Sequence, residues 1–240
     1  MAIVYSNASD GFQSSVFDAN WDNVHDSVGY GAPTTNSQAN GLVVRYERPT
    51  GRTGDMYYLA RSFFDFDTSE ITSTVGSATL SLKVSTNYSC TPLVICKSGH
   101  DPSSTSDDWF STWITGQGIT LSGWDADDVT AYSVSTAVPA SHNSWTDFTL
   151  NADALSDLVS LSSFKICVLH EADLSDTAPT SGNLRTGFYF ADYSGTSRDP
   201  KIDYTLGPAG YGNSVMGVAS ANIGSINGIA TANISKVSGV

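Results

Sequence analysis

Ser77-Ala78-Thr79-Leu80-Ser81-Leu82-Lys83-Val84 alternates without a break between polar and apolar side chains. On an extended chain successive side chains point to opposite faces, so Ala78, Leu80, Leu82 and Val84 share one face and Ser77, Thr79, Ser81 and Lys83 the other. This is the pattern of a strand with one face in a core and one in water. Outward from it, residues 57–66 make a longer aromatic strand, with Tyr58, Ala60, Ser62, Phe64 and Phe66 on one side. Phe164, Ile166 and Val168 predict another strand, Phe188 and Phe190 mark one within 186–192, and Ile202, Tyr204 and Leu206 predict the last. Residues 42–46, 93–96, 129–134 and 145–150 are further candidates. A single short helix is expected over 152–158, behind Asn151 as its cap. Roughly nine or ten strands, joined by Gly, Ser, Thr, Asn and Asp loops with almost no helix, argue an all-β sandwich. Two long loops interrupt it. One is the Gly-, Pro-, Thr- and Asn-rich stretch 27–40, and the other is 98–123, with Asp107, Asp108, Trp109, Trp113 and, just beyond it, Trp124.

The end of the chain follows a different rule. Gly217-Val218-Ala219-Ser220-Ala221-Asn222-Ile223-Gly224-Ser225-Ile226-Asn227 is followed by Gly228-Ile229-Ala230-Thr231-Ala232-Asn233-Ile234-Ser235-Lys236-Val237-Ser238, and a third copy begins at Gly239-Val240. The large apolar positions are Val215, Val218, Ile223, Ile226, Ile229, Ile234, Val237 and Val240, and Lys236 is the only charged residue past Leu206. So short a segment builds no core of its own, and regularly placed Ile and Val are normally buried against something. These eight residues are therefore the expected assembly interface, and another copy of the chain or a neighbouring protein is the expected partner. An eleven-residue period suits a right-handed helical coil. The Gly, Asn and β-branched content argues instead for extended or turn-rich structure. The organisation expected is a body over 1–206, a linker over 207–214 opening with Gly207-Pro208-Ala209-Gly210-Tyr211-Gly212, and an assembly or anchor tail over 215–240.

The chain has 240 residues, enough for one large β domain before the tail. Its formal charge of −13 is a poor surface for nucleic acid or anionic lipid, so neither is an expected partner. Met1-Ala2-Ile3-Val4-Tyr5 has no basic and apolar leader pattern, and no apolar run is long enough to span a membrane. Cys90, Cys96 and Cys167 are odd in number and widely spaced, and Cys96 and Cys167 read as buried thiols of a chain made in a cytoplasm. No paired Cys or His spacing supports zinc, and no cofactor is expected.

Several constellations have a chemical and a plain reading. Trp109, Trp113 and Trp124, with Trp145, form either a platform that stacks on sugar rings or core groups that pin the long loop; the first three are the candidate glycan-binding residues. Tyr30, Tyr46, Tyr88 and Tyr193 are accessory candidates. Asp125-Ala126-Asp127-Asp128, and Asp65, Asp67 and Glu70, could offer oxygens to calcium, but neither forms the Asp-x-Asp-x-Asp-Gly loop, and both read as solvated turn carboxylates. His25, His100, His142 and His170 are scattered; His170-Glu171 could be a base and its neighbour. No Gly-x-Ser-x-Gly elbow and no phosphate loop occurs, so no catalytic residue is assigned. Three Asn-x-Ser triplets, at Asn7, Asn87 and Asn233, read as chance.

Arg61-Ser62-Phe63-Phe64-Asp65-Phe66-Asp67, Ile71 and Gly76-Ser77-Ala78-Thr79-Leu80-Ser81-Leu82 resemble the DNRLRE-type jelly-roll module. So do the Trp109/Trp113 loop, the strand after Trp145 and the closing Arg198-Asp199-Pro200-Lys201-Ile202-Asp203-Tyr204. The resemblance spans about residues 40 to 206. It implies a jelly-roll sandwich akin to carbohydrate-binding modules, an add-on domain of surface proteins with no catalytic residues to carry over. The tail is similar to short repeats that end virion proteins of tailed bacteriophages. That likeness implies a protein made in a host cytoplasm and displayed on a virus particle as a capsid decoration (cement) protein, a head fibre or a tail fibre. Its expected partners are its own copies, a trimer above all, the capsid shell, and host glycan if it is a receptor-binding fibre.

Overall fold

The computed structural model describes residues 1–31, 34, 44–49, 56–104, 108–180, 182–192, 194–207, 225–226 and 229–230, with side chains for all of these except 87, 88, 225, 226, 229 and 230. In chain order the elements are β1 (Ala2–Tyr5), β2 (Gly11–Ser14), α1 (Asp22–His25), β3 (Val44–Arg48), β4 (Tyr58–Asp67), β5 (Val75–Tyr88), β6 (Leu93–Lys97), α2 (Trp109–Thr115), β7 (Trp145–Thr149), α3 (Ala152–Ser160), β8 (Ser163–His170), α4 (Glu171–Leu174), β9 (Gly182–Phe188), β10 (Lys201–Leu206), β11 (Ser225–Ile226) and β12 (Ile229–Ala230). No helix among the described residues is long and apolar enough to cross a membrane.

The fold is all-β, and every named strand pair is antiparallel. The strand order is β1-β10-β5-β9-β3-β4-β8-β6, with β2 added on β4 and β7 on β5. The long β5 is the corner. Its first half pairs with β10 and β7; past a register shift between Val84 and Thr86, its second half pairs with β9. One strand thus serves two layers, as the sandwich reading requires. Ala78, Leu80, Leu82 and Val84 are all buried in the main core, as the alternation predicts, while Ser77 faces out. Phe148, Phe164, Ile166, Val168, Phe188 and Ile202 fill the space between the layers.

A second core lies on the far side of β4, β8 and β6. There Phe63, Val94, Cys96, Cys167 and Leu169 are covered by Trp109, Trp113 and Ile114 of α2, by Trp124 and by Leu174. These strands are buried on both faces, which is why they read as near-continuous apolar runs rather than alternations. Two expectations change here. The 98–123 stretch is not all loop, because Asp108 caps α2 by accepting from the backbone N–H groups of Phe110 and Ser111. The 129–134 strand does not form a ladder: only isolated bridges join Ala131 to Cys96 and Thr136 to Leu93. The hydroxyl of Ser133 accepts from the Ile95 N–H at 3.1 Å, so a side chain takes a place the backbone would hold in a regular pair. The expected helix behind Asn151 is present and runs to Ser160.

Within the repeat, β11 and β12 form a hairpin that sets Ile226 opposite Ile229, with Asn227-Gly228 between them in sequence. Asn-Gly is the favoured pair for a two-residue hairpin connection. Val215, Val218, Ile223, Ile234, Val237 and Val240 lie outside the described residues, as do most of the expected linker and Tyr193.

Candidate functional site

Trp145 is partly exposed, with the ammonium groups of Lys83 and Lys201 over its ring at 5.2 and 5.5 Å. Trp109 and Trp113 are fully buried and Trp124 is 1% exposed, so these three present no indole face to a sugar ring. They serve an internal cation instead. The guanidinium of Arg61, itself wholly buried on β4, lies 4.1 Å from the Phe110 ring centre, 5.0 Å from Trp124 and 5.4 Å from Trp113. Its charge is met by Asp173 on α4 through two parallel bonds, Nε to Oδ2 at 2.9 Å and Nη2 to Oδ1 at 2.7 Å. His25 closes the cluster. Its ring stacks on Trp124 at 4.1 Å, Nε2 faces the Asp173 carbonyl at 2.9 Å, and Nδ1 faces Asp26 at 2.7 Å. Asp26 also accepts from the Gly123 N–H, and Asp176 accepts from the Trp21 indole. α1, β4, α2, the Trp124 segment and α4 therefore meet on one buried ion pair. Every oxygen of Asp173 and both ring nitrogens of His25 face protein partners, so the cluster acts as a staple.

The other polar candidates are also drawn into structure. His170 is the N-cap of α4: its Nδ1 accepts from the Ala172 N–H at 3.1 Å, while its ring stacks on Tyr46. That leaves Nε2 to donate to the Thr91 carbonyl, and burial lowers the pKa of the ring. Ser98 and His100 have the contact of a nucleophile and base, Oγ to Nδ1 at 2.7 Å. Yet burial, helped by Lys165, holds the His100 pKa down to about 3, and Nε2 has no partner among the described residues to orient it. A base that weak, packed against Phe63 and Trp109, does not activate a hydroxyl. Asp65 is not solvated. It is buried, accepting from Asn7 at 2.7 Å and from the Ser163 hydroxyl, and so ties the N-terminal strand to the sandwich. Asp125, Asp127 and Asp128 are exposed turn residues, with the Asp128 carboxylate accepting from the Asp125 N–H and the Asp125 carboxylate from the Asp127 N–H. No group of three or more His, Cys, Asp or Glu suited to a metal occurs among the described residues.

The described surface includes an aromatic groove. Ser15, Val16, Phe17, Tyr30 and Tyr58 line about 510 Å³ of open space. Phe17 lies flat on Tyr58 with ring centres 4.1 Å apart and planes 9° apart, and Arg45 sits over Tyr58 at 5.3 Å. Phe17 is 52% exposed and Tyr30 73% exposed, so broad aromatic surface remains in contact with water. Sequence reading named Tyr30 and missed Phe17, Tyr58 and Arg45. They are brought together by the pairing of β2 and β3 with β4, a long-range event with no local signature.

No family model matches this chain, and no curated protein matches it. Its functional reading rests on its own residues.

Proposed function

We propose that this chain is a structural protein of a bacteriophage particle, displayed as a capsid decoration (cement) or head-fibre protein, with its C-terminal repeat joining copies to one another or to the shell. The observation that carries the reading is the division of apolar surface in the chain. The body has a filled core by Leu206, and its Arg61–Asp173 ion pair is buried within it. The repeat then presents Val215, Val218, Ile223, Ile226, Ile229, Ile234, Val237 and Val240 with a single charge among them. Burying one Ile in full contributes about 2 kcal/mol. Several such residues from each of several chains outweigh the ordering cost of about 1–2 kcal/mol per residue only when the rows are packed together. Light scattering on the full chain and on a chain ending at Gly207 tests this. A discrete oligomer, a trimer by preference, that becomes a monomer on truncation supports it. The same multimeric state for both refutes it, and two monomers leave the shell as the repeat's partner.

A second reading is favoured by the Phe17, Tyr30 and Tyr58 groove. A tail-fibre or receptor-binding module recognising host glycan needs exposed ring faces, and this groove has them where Trp109, Trp113 and Trp124 do not. On a glycan array, binding by the full chain that disappears in Phe17→Ala with unchanged circular dichroism supports this reading. No signal from the wild-type chain removes it.

A further inference from the structure

A groove of about 520 Å³ runs between α3 and the start of β5, lined by Thr74, Val75, Ala152, Leu155 and Val159 with two serines. Leu155 and Val159 are one helical turn apart and only partly covered by the core. No charged side chain lines this groove, although the chain carries −13 overall. The C-terminal segment departs from its rim: the Gly207 N–H donates to the Thr74 carbonyl at 2.8 Å. A side chain added at Gly207 would touch Thr74 at 3.5 Å, so the departing backbone runs directly beside the groove wall.

We propose that this groove seats the first apolar row of the chain's own repeat, Val215 and Val218, and so fixes the direction in which the remaining row leaves the body. The proposal rests on the reading of the repeat as the assembly element. Seven residues, 208–214, separate Gly207 from Val215. Fully extended they span at most about 25 Å, and a turned path reaches a groove that begins at the Gly207 contact. A tether of seven residues holds such a segment at an effective concentration on the order of millimolar. A second copy, free at micromolar concentration, competes poorly for the same groove. The segment and the groove are both uncharged, so docking desolvates no unpaired ion. Ile223 to Val240 are left for partner copies. Identical seating in every subunit gives each tail the same exit, which a closed symmetric oligomer needs.

The test uses the full chain carrying Ser156→Cys with Val218→Cys; the native cysteines are fully buried and do not compete. Isotopically light and heavy protein are mixed and oxidised, and the disulfide-linked peptides are read by mass spectrometry. Links only within light or within heavy chains are expected. Mixed links make a second copy the occupant and overturn the proposal, as does the absence of any link. In a separate full-length Val215→Asp/Val218→Asp chain, amide exchange in α3 is expected to speed up several-fold, and unchanged exchange also overturns it. Light scattering separates the two ideas. A tail-dependent oligomer without the link leaves the assembly reading standing and removes only the groove.

Discussion

Replacing Arg61 by Met tests the central staple most directly. The substitution keeps most of the aliphatic volume and deletes the guanidinium. Asp173, with a side chain 1% exposed, then keeps a carboxylate with no cation bonded to it. Breaking one side of a buried ion pair costs about 3–5 kcal/mol. Losing the stack on Phe110, Trp124 and Trp113 adds about 0.5–2 kcal/mol. Against a typical stability of about 5–15 kcal/mol this is a large share. With a urea slope of about 2–3 kcal/mol per molar, the unfolding midpoint should fall by roughly 1–3.5 M. Arg61→Met combined with Asp173→Leu removes both charges, and replacing a buried pair by apolar groups is often neutral. The double variant should therefore recover most of the loss, giving a coupling of at least about 2 kcal/mol. Urea unfolding followed by tryptophan fluorescence and by far-ultraviolet circular dichroism measures all four corners of the cycle. Coincident transitions by the two probes are required for the free energies to be comparable. A single variant that loses less than about 1 kcal/mol, or a double variant that loses the full sum, would falsify the staple.

The remaining predictions probe the core, the surface and the pH response. Trp113→Ala should cost about 3–5 kcal/mol, as a core truncation does; Tyr30→Ala, at an exposed position, should stay within about 0.5 kcal/mol, and equal losses in urea melts would show that the two have been assigned to the wrong sides of the surface. Asn151→Ala should cost about 1 kcal/mol, because its side chain accepts from the Ala154 N–H and donates to the Ala131 carbonyl; an unchanged melting curve would remove the cap from the argument. Burial, with Asp192 and Asp199 adding repulsion, pushes the Asp10 pKa up to about 7, so the folded protein holds a proton that the unfolded chain has lost, and this group costs stability as pH rises from about 4 through 7. Asp10→Asn should therefore gain on the wild type between pH 5 and pH 8 in thermal melts, and a difference independent of pH would be the wrong answer. His100 acts in the opposite direction: burial holds its pKa down to about 3, so below about 6.5 the unfolded chain gains a proton that the folded ring refuses, and thermal melts should show stability falling as pH drops from about 6.5 towards 3.

The strand over 77–84 was legible because one of its faces lies in the core and the other carries polar side chains that are exposed at Ser77, partly exposed at Thr79 and Lys83, and hydrogen-bonded to Asp147 at Ser81. Residues 57–66 and 164–168 were also legible as strands, but their apolar continuity carried a second message, burial on both faces, that strand recognition does not use. The covering element was hidden by its composition. Trp109-Phe110-Ser111-Thr112-Trp113-Ile114-Thr115 is poor in strong helix formers, and only Asp108 ahead of it signals a helix start. Once that segment is read as loop, its tryptophans look free to meet a ligand. Once it is a capped helix lying on β4, they belong to the core. Arg61 was noticed as a motif residue, but its partners lie on α1, α2 and α4, far apart in sequence, and the ion pair exists only after the layers close. The repeat needed no fold to be seen, because periodicity is a property of the chain itself.

The staple also decides where function can reside. A buried cation held by three rings and a bidentate carboxylate resists rearrangement, because moving any one member leaves a charge or an acceptor unpaired in a low-dielectric interior. The body is therefore a rigid support, and recognition falls to what it leaves exposed. Two surfaces meet that description. The Phe17 and Tyr58 stack rides on β4, the strand that carries Arg61, so its ring faces are positioned by the same staple. The α3 groove stands at the other departure point of the chain, beside Gly207. A body stapled in this way, bearing an aromatic groove and followed by an apolar repeat, fits the proposed role of holding contacts at fixed spacing on an assembly.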